Sequence, residues 1–172
     1  MASVTMRAAV DAAWVAVETV RLGPVPGGLP APDAVVCLAG DDGPLLRIDL
    51  YRSGDECHAF ADAVMWGPLV VIGWGHAAHA VEVGTSQVRT IPLGGYFGHF
   101  YPDGDQLLIA SAERLHAVRA DGSVAWRSAV LGLDGVIVHD IADDEIHGQG
   151  EWDPPGGWRD FRIRRATGAP AP

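Results

Sequence analysis

Residues 69–85 read LVVIGWGHAAHAVEVGT, and residues 106–122 read QLLIASAERLHAVRADG. The tripeptide His-Ala-Val at 79–81 recurs 37 residues later at 116–118, and the apolar runs that precede the two tripeptides recur at the same offset. Self-similarity at a spacing of this length predicts a supersecondary unit that cannot bury its own apolar face and therefore stacks on its neighbours.

Two further copies of this unit flank the pair. The later copy begins at Glu145 and returns over residues 160–166, with an insertion at residues 151–158 between its strands. The earlier copy has two stretches, at 35–39 and 45–51, on either side of a turn. The sequence therefore predicts four successive units.

Each unit has the pattern of short strands. Its first stretch is continuously apolar, as in a strand buried on both faces, and its second stretch alternates. Asp-Gly turn signals bound the strands at 42–43, 103–104, 121–122 and 134–135. Further strands are predicted at 87–91, 98–101, 123–127 and 135–139. About four short strands per unit is the size of a propeller blade.

We expect a single all-β domain over residues 1–172. Residues 1–34 are interpreted as an N-terminal strand and a Pro- and Gly-rich loop. A strand is preferred to a helix at 14–22 because the segment is β-branched and aromatic. The units are assigned to residues 35–57, 58–97, 98–134 and 135–168, and residues 169–172 to a frayed tail.

Residues 115–127, LHAVRADGSVAWR, resemble the repeat of the quinoprotein-like (PQQ-like) and WD40-like β-propellers. Those repeats pair a strand that ends in an Asp-containing turn with a second strand that carries Trp. The resemblance implies a small or partial β-propeller of about four blades. The quinone-binding enzymes of that class have about eight blades, so this chain is too short for their site. We therefore expect no cofactor and transfer no catalytic residue.

The net charge argues against nucleic acids and anionic membranes as partners. The net charge is −10, from 12 basic and 22 acidic residues, and such a surface repels phosphate backbones and anionic lipid. We expect neither nucleic-acid nor membrane binding. All the basic residues are Arg, which excludes Schiff-base and P-loop lysine chemistry.

The protein is expected to be cytoplasmic. The sequence has no apolar run long enough for a membrane span, and Asp11 and Glu18 interrupt what would be a signal-peptide core. Cys37 and Cys57 make no disulfide framework. Cys37, inside an apolar run, is predicted to be a core residue.

His76 and His79 are the only closely spaced histidine pair, and they are weak candidates for a metal site. No third ligand accompanies them, so no metal is expected. The acidic run of Asp140, Asp143 and the two residues after it lacks the spacing of a calcium loop, and it is interpreted as a solvated turn.

No catalytic motif with a nucleophile elbow, a P-loop or a dinucleotide fingerprint occurs. An enzyme is therefore the less favoured class. The alternative that stays open is a small-molecule or metal-dependent hydrolase that uses clustered side chains, drawn from His76, His79, His99, His116 or residues 140–145.

The insertion with Trp152 and Trp158 is the best functional candidate. Its prolines stiffen the loop, and Trp and Arg are enriched at interface hot spots. The other interpretation is that both indoles fold back over the sheet, and that nearby Arg residues only protect its edge. The candidate partner-binding residues are Trp152, Asp153, Trp158, Arg159, Arg162 and Arg164.

The sequence thus predicts a non-enzymatic protein–protein interaction module. One version is an inhibitor or immunity-type partner of another protein, and net −10 favours a basic one. If the four units form an open fan, pairing of two copies would protect its edges, so a homodimer is a further expectation.

Overall fold

A computed structural model describes residues 2–28, 30–54 and 56–171. These residues form four small sheets. Sheet 1 contains β1 (Ser3–Arg7), β2 (Thr19–Leu22), β3 (Ala34–Gly40) and β4 (Gly43–Leu50). Sheet 2 contains β5 (Ala61–Trp66), β6 (Leu69–Trp74), β7 (Ala77–Glu82) and β8 (Val88–Pro92).

Sheet 3 contains β9 (Phe97–Asp103), β10 (Gln106–Ser111), β11 (Leu115–Arg119) and β12 (Val124–Arg127). Sheet 4 contains β13 (Val136–Ala142), β14 (Glu145–Glu151) and β15 (Trp158–Arg164). Strands pair antiparallel except for β2, which runs parallel to β4. The all-β prediction is confirmed. No helix among the described residues could cross a membrane.

The internal repeat is real in three dimensions. His79 on β7 lies opposite Ile72 of β6, and His116 on β11 lies opposite Ile109 of β10, so the two His-Ala-Val segments have equivalent places. Both histidines are buried. The offset of 37 residues therefore relates matching positions of sheets 2 and 3.

Continuous apolar strands arise where a sheet is covered on both faces, as sheets 1, 2 and 3 are. On β6, Val70, Ile72 and Trp74 face sheet 1, whereas Leu69 and Val71 face sheet 3. A third cluster joins sheets 3 and 4. No core cluster among the described residues joins sheet 1 to sheet 4. The first strands of successive sheets contact one another, β1 with β5, β5 with β9 and β9 with β13.

Backbone hydrogen bonds at equivalent positions join successive sheets. The N–H of Phe97 donates to the carbonyl of Gly75 at 2.8 Å, and the N–H of Gly135 donates to the carbonyl of Ala112 at 2.8 Å. One residue further along each turn, the carbonyls of His76 and Glu113 accept from Leu93 and Leu131. A turn of one sheet therefore holds the start of the next.

The outer face of sheet 1 is covered by the chain itself. Residues 12–14 form a 3-10 helix, because the Asp11 side chain accepts a hydrogen bond from the N–H of Ala13 at 3.1 Å. This helix packs Trp14 against Val35 and Cys37. The prediction of a strand over 14–22 is therefore wrong for its first half. The prediction that Cys37 is a core residue is confirmed.

The C-terminal segment lies along the edge of sheet 4. Arg164 donates to the carbonyl of Ala169 at 2.7 Å, and Ala171 donates to that of Arg162 at 3.0 Å. The expected fraying from residue 169 is not what the structure shows up to residue 171, because the unpaired edge of β15 offers hydrogen-bond partners. Pro172 is outside the described residues.

Candidate functional site

The loops at one end of the sheets lie close together. We call this the loop end; it is formed by residues 51–54, 56–60, 75–76, 93–96, 112–114, 128–135 and 152–157. The backbone hydrogen bonds described above, from Phe97 to Gly75 and from Gly135 to Ala112, lie at this end. Cys57 adds a further hydrogen bond at this end, because its N–H donates to His76 Nε2 at 3.4 Å.

The predicted histidine pair is not brought together as a ligand pair. His76 lies in an exposed turn and accepts from Cys57, whereas the buried His79 makes a 3.0 Å hydrogen bond with Thr90. Burial lowers the pKa of His79. Within the described ranges, no three His, Cys, Asp or Glu side chains are grouped to hold a metal ion.

The acidic run lies at the far end of sheet 4, in the turn between β13 and β14. Glu145 pairs there with Arg162 at 2.6 Å and with His147 at 3.1 Å. The hydrogen bond from Arg162 is the main reason that the pKa of Glu145 is lowered. The remaining histidines lie in separate places, with His99 beside Phe60, His58 against Trp74, and His116 between sheets 2 and 3.

The insertion is a hydrogen-bonded turn that joins β14 to β15. Trp152 donates to the carbonyl of Gly157 at 2.9 Å, and Gly157 donates back to that of Asp153 at 3.0 Å. The Arg159 guanidinium lies 5.6 Å from the centre of the Trp152 ring. Trp152 is half-buried and Asp153 is exposed. The loop is therefore ordered by its own contacts.

Trp158 both covers the sheet and remains open to solvent. Its ring lies so close over Gly135 that a Cβ there would be 3.1 Å from Cη2. The side chain is nevertheless 38% exposed. One side of the indole therefore covers the sheet, and the other side is open as a contact surface, so each interpretation of this loop holds for one side of the ring.

Two of the three arginines of β15, Arg162 and Arg164, lie away from the tryptophans. Arg162 is paired with Glu145, and Arg164 is exposed at the end of the strand opposite to Trp158. A strand of this length separates its ends by about 20 Å. Arg162 and Arg164 therefore share a strand face with Trp158, because alternate residues point the same way, but they lie away from the loop end.

A cluster around Tyr96 was not predicted. The Phe60 ring stacks on that of Tyr96 at 6.1 Å. The Tyr96 hydroxyl donates to the Asp134 carbonyl and also lies 3.0 Å from its carboxylate. Burial, with help from this hydrogen bond and the nearby Glu151 charge, raises the pKa of Tyr96 to about 12, so the hydroxyl remains a donor.

Tyr96 belongs to the Gly-rich stretch at 94–98. This stretch resembles a phosphate-binding loop in composition only, because it leads into no helix. The side-chain contacts of Tyr96 come from two other loops, at Phe60 and at Asp134. An aromatic residue within a Gly-rich segment could have drawn attention to Tyr96 as a site residue. Repeat periodicity does not select Phe60 or Tyr96, because neither occupies a repeated position.

His116 should make the fold sensitive to acid. Burial, with the nearby Arg127 charge, lowers its pKa to about 4, compared with about 6.5 in an unfolded chain. Below pH 6.5 the unfolded chain takes up a proton that the folded chain refuses, so the free energy of unfolding falls until about pH 4. We expect this group to contribute a loss of about 2 kcal/mol, after allowing for residual solvation.

Urea unfolding at pH 7.5 and pH 4.5 measures this loss. His116→Leu should lose less stability than the wild type over the same interval, although His79 is buried in both. If the variant and the wild type show equal pH dependence, the assignment to His116 is wrong.

A comparison with models of known protein families finds no match to this chain, and a comparison with curated proteins finds none either. The function is therefore argued from the geometry.

Proposed function

We propose that this protein is a non-enzymatic interaction module that binds a basic partner protein through its loop end. The surface consists of Phe60, Tyr96, Leu133, Trp152 and Trp158, which we call the aromatic surface. The observation that carries the proposal is the exposure of three large apolar side chains on neighbouring loops. Phe60 is 43%, Leu133 53% and Trp158 38% exposed.

A series of contacts connects Phe60, Tyr96 and Trp158. Phe60 stacks on Tyr96, Tyr96 hydrogen-bonds to Asp134, and the next residue, Gly135, lies under Trp158. Exposed apolar groups that gather in this way, with hydrogen-bonded loops to hold them, are typical of a docking surface. Order in the free state lowers the entropy lost on binding.

Charge favours a basic partner. Carboxylates of Asp134, Glu151 and Asp153 surround the aromatic surface, and the whole chain has a net charge of −10. Arg159, a nearby cation, is engaged with the Trp152 ring. Attraction of opposite charge would raise the association rate and favour partners with a positive patch. An inhibitor or immunity-type role is one form of this proposal.

The same proposal takes the four sheets as an open arc of a β-propeller, since the first strand of each sheet contacts that of the next sheet. A homodimer is less well supported than a different partner. The chain covers the apolar outer face of sheet 1, and the outer face of sheet 4 has the polar pairs of Glu145 with Arg162 and of Gln149 with Asp160.

Affinity capture from source cells, with matched variants as bait, tests the proposal. A protein of high pI should be retained by the wild type and by Leu45→Ala, which removes a side chain 50% exposed on sheet 1. Phe60→Ala and Trp158→Ala should each weaken its binding at least tenfold when measured with the purified partner, since hot-spot truncations cost about 2 kcal/mol or more. Added salt should slow association.

The melting temperatures of the same variants distinguish a covering role of Trp158 from a binding role. If Trp158→Ala unfolds far below the wild type, the ring is mainly a cover. If no captured protein distinguishes Phe60→Ala and Trp158→Ala from Leu45→Ala, the aromatic surface is not a docking site and the proposal fails.

A further inference from the structure

A groove between the outer strands of sheets 2 and 3 has the features of a ligand site that is separate from the loop end. Its narrower part has a volume of about 290 Å³. It is lined by Arg89, Thr90, Ile91, Pro92, His116, Val124 and Arg127. This volume lies at the small end of the range for small-molecule pockets.

Strand register explains which side chains face this groove. Ile91 of β8 pairs with Ala78 and Arg89 pairs with Ala80, and both alanines face sheet 3. On the other wall, His116 pairs with Arg127. These side chains therefore point toward one another from two sheets.

A β-bulge completes the second wall. Along β12, the pairing shifts between Trp126 and Val124, so that Val124 lies opposite Val118. Val118 faces sheet 2. Without the extra residue, Val124 and Arg127 would point to opposite faces of the strand, because they are three residues apart. The bulge places both in the groove, and bulges often re-aim side chains at functional sites.

His116 is the unusual member of the wall. The residue is 2% exposed, and neither ring nitrogen makes a hydrogen bond of normal geometry within the described residues. Buried polar groups normally have partners, and one without a partner costs about 1–3 kcal/mol. The equivalent residue of the preceding unit, His79, has its partner in Thr90. The Ile109 backbone is the polar group that interacts with the ring, without normal hydrogen-bond geometry, so the groove contains a buried imidazole with unused hydrogen-bonding capacity.

Two guanidinium groups flank this imidazole, and that of Arg89 also interacts electrostatically with the Asp121 carboxylate. Within the described residues, neither Arg89 nor Arg127 makes an ion pair. Arg89 has one 3.4 Å hydrogen bond to the Asp121 carbonyl. Arg127 lies beside the apolar part of the cavity and Arg89 lies on the opposite wall. Their positive charge favours an anion there.

We propose that this groove binds a small organic acid, with its carboxylate against Arg127 and His116 and its apolar body on Ile91 and Val124. Arg89 adds positive charge from the opposite wall. Cross-strand neighbours lie about 5 Å apart, so one carboxylate reaches both the guanidinium and the imidazole. The apolar lining suits a singly charged carboxylate with a carbon skeleton better than a phosphate, whose further charge it would leave unsolvated.

The adjoining wider cavity fixes the direction of the ligand. That cavity, about 670 Å³, shares Arg89 and is also lined by Glu82 and Asp121. Their carboxylates disfavour an anion there. The charged end of a ligand therefore belongs beside Arg127, and a longer body would extend toward Glu82.

Calorimetric titration with benzoate tests this site. We expect binding with a Kd of about 1 mM or tighter, whereas benzamide, the neutral analogue, and acetate, which lacks the ring, should bind at least tenfold more weakly. Inorganic phosphate should also be weaker than benzoate. Arg127→Gln should weaken benzoate binding about tenfold or more, and Arg164→Gln, an exposed change on sheet 4, should leave it unchanged.

NMR of the His116 ring gives a second readout that does not depend on a destabilising variant. Its ring resonances should shift on addition of benzoate, and those of His147 on sheet 4 should not. The proposal is overturned if the wild type does not bind benzoate, if benzamide binds equally well, if Arg127→Gln binds as tightly as the wild type, or if the His116 signals do not move. A failed interaction at the aromatic surface would leave each of these results unaffected.

Discussion

Gly73→Ala is expected to lower the free energy of unfolding by about 3 kcal/mol or more, in the upper range for overpacked cores. Gly73 lies in the middle of sheet 2, and a Cβ there would fall within the ring of Phe97. Phe97 is 1% exposed and packs on Phe100 with ring centres 4.6 Å apart. Its N–H also makes the hydrogen bond to Gly75 that joins sheets 2 and 3. An added methyl group would therefore separate two sheets.

Urea unfolding measures the effect, and Gly84→Ala is the matched control. Gly84 lies in an exposed turn where a Cβ would meet no atom within 4 Å, so the control should stay within about 0.5 kcal/mol of the wild type. A Gly73→Ala, Phe97→Leu double variant should recover part of the loss because the smaller side chain leaves room. Equal midpoints for the two alanine variants would show that the close contact with Phe97 is not a constraint.

Trp14→Ala should cost about 3–5 kcal/mol, the usual range for the loss of a buried Trp. The indole is 5% exposed and covers Val35 and Cys37 on the outer face of sheet 1. The neighbouring Val15 is 69% exposed, so Val15→Ala is the control and should be nearly neutral.

Thiol labelling provides a local readout for the same variant. In a Cys57→Ser background, Cys37 is 1% exposed in the wild type and should react slowly with a thiol reagent. Trp14→Ala should increase that rate, and the uncovered face should cause association that depends on concentration. An unchanged rate, together with unchanged stability, would mean that residues 10–17 do not act as a cover.

The repeated strands could be predicted from sequence because the physical cause is local. Continuous apolar runs such as 69–72 reflect burial on two faces, and Asp-Gly turns such as 121–122 bound the strands. The segment 14–22 misled because β-branched residues and Trp suggest a strand, whereas the Asp11 cap and the burial of Trp14 favour a short helical turn. That outcome depends on a surface that only the folded sheet provides.

The candidate sites were largely beyond sequence reasoning. The Trp loop stood out because its composition is unusual, and Arg162 appeared available because its partner, Glu145, lies on another strand. The aromatic surface combines loops of separate units. The groove depends on a bulge of one residue in β12, and on His116 lacking the partner that its counterpart His79 has. A sequence repeat reveals the residues that the copies share, whereas the aromatic surface and the groove depend on residues that differ between the copies.

The joints between sheets 2, 3 and 4 are made by main-chain carbonyls of Gly75 and His76, and again of Ala112 and Glu113. Main-chain groups are the same whatever residue bears them, so these hydrogen bonds require no particular side chain at His76, Ala112 or Glu113, whereas Gly75, with a φ of 56°, favours glycine. Spacing is different, because a single deletion would remove a carbonyl from its donor and turn the rest of that strand to the other face. Relatives of this chain should therefore be easier to find by the distances between their turns than by the identities of their residues.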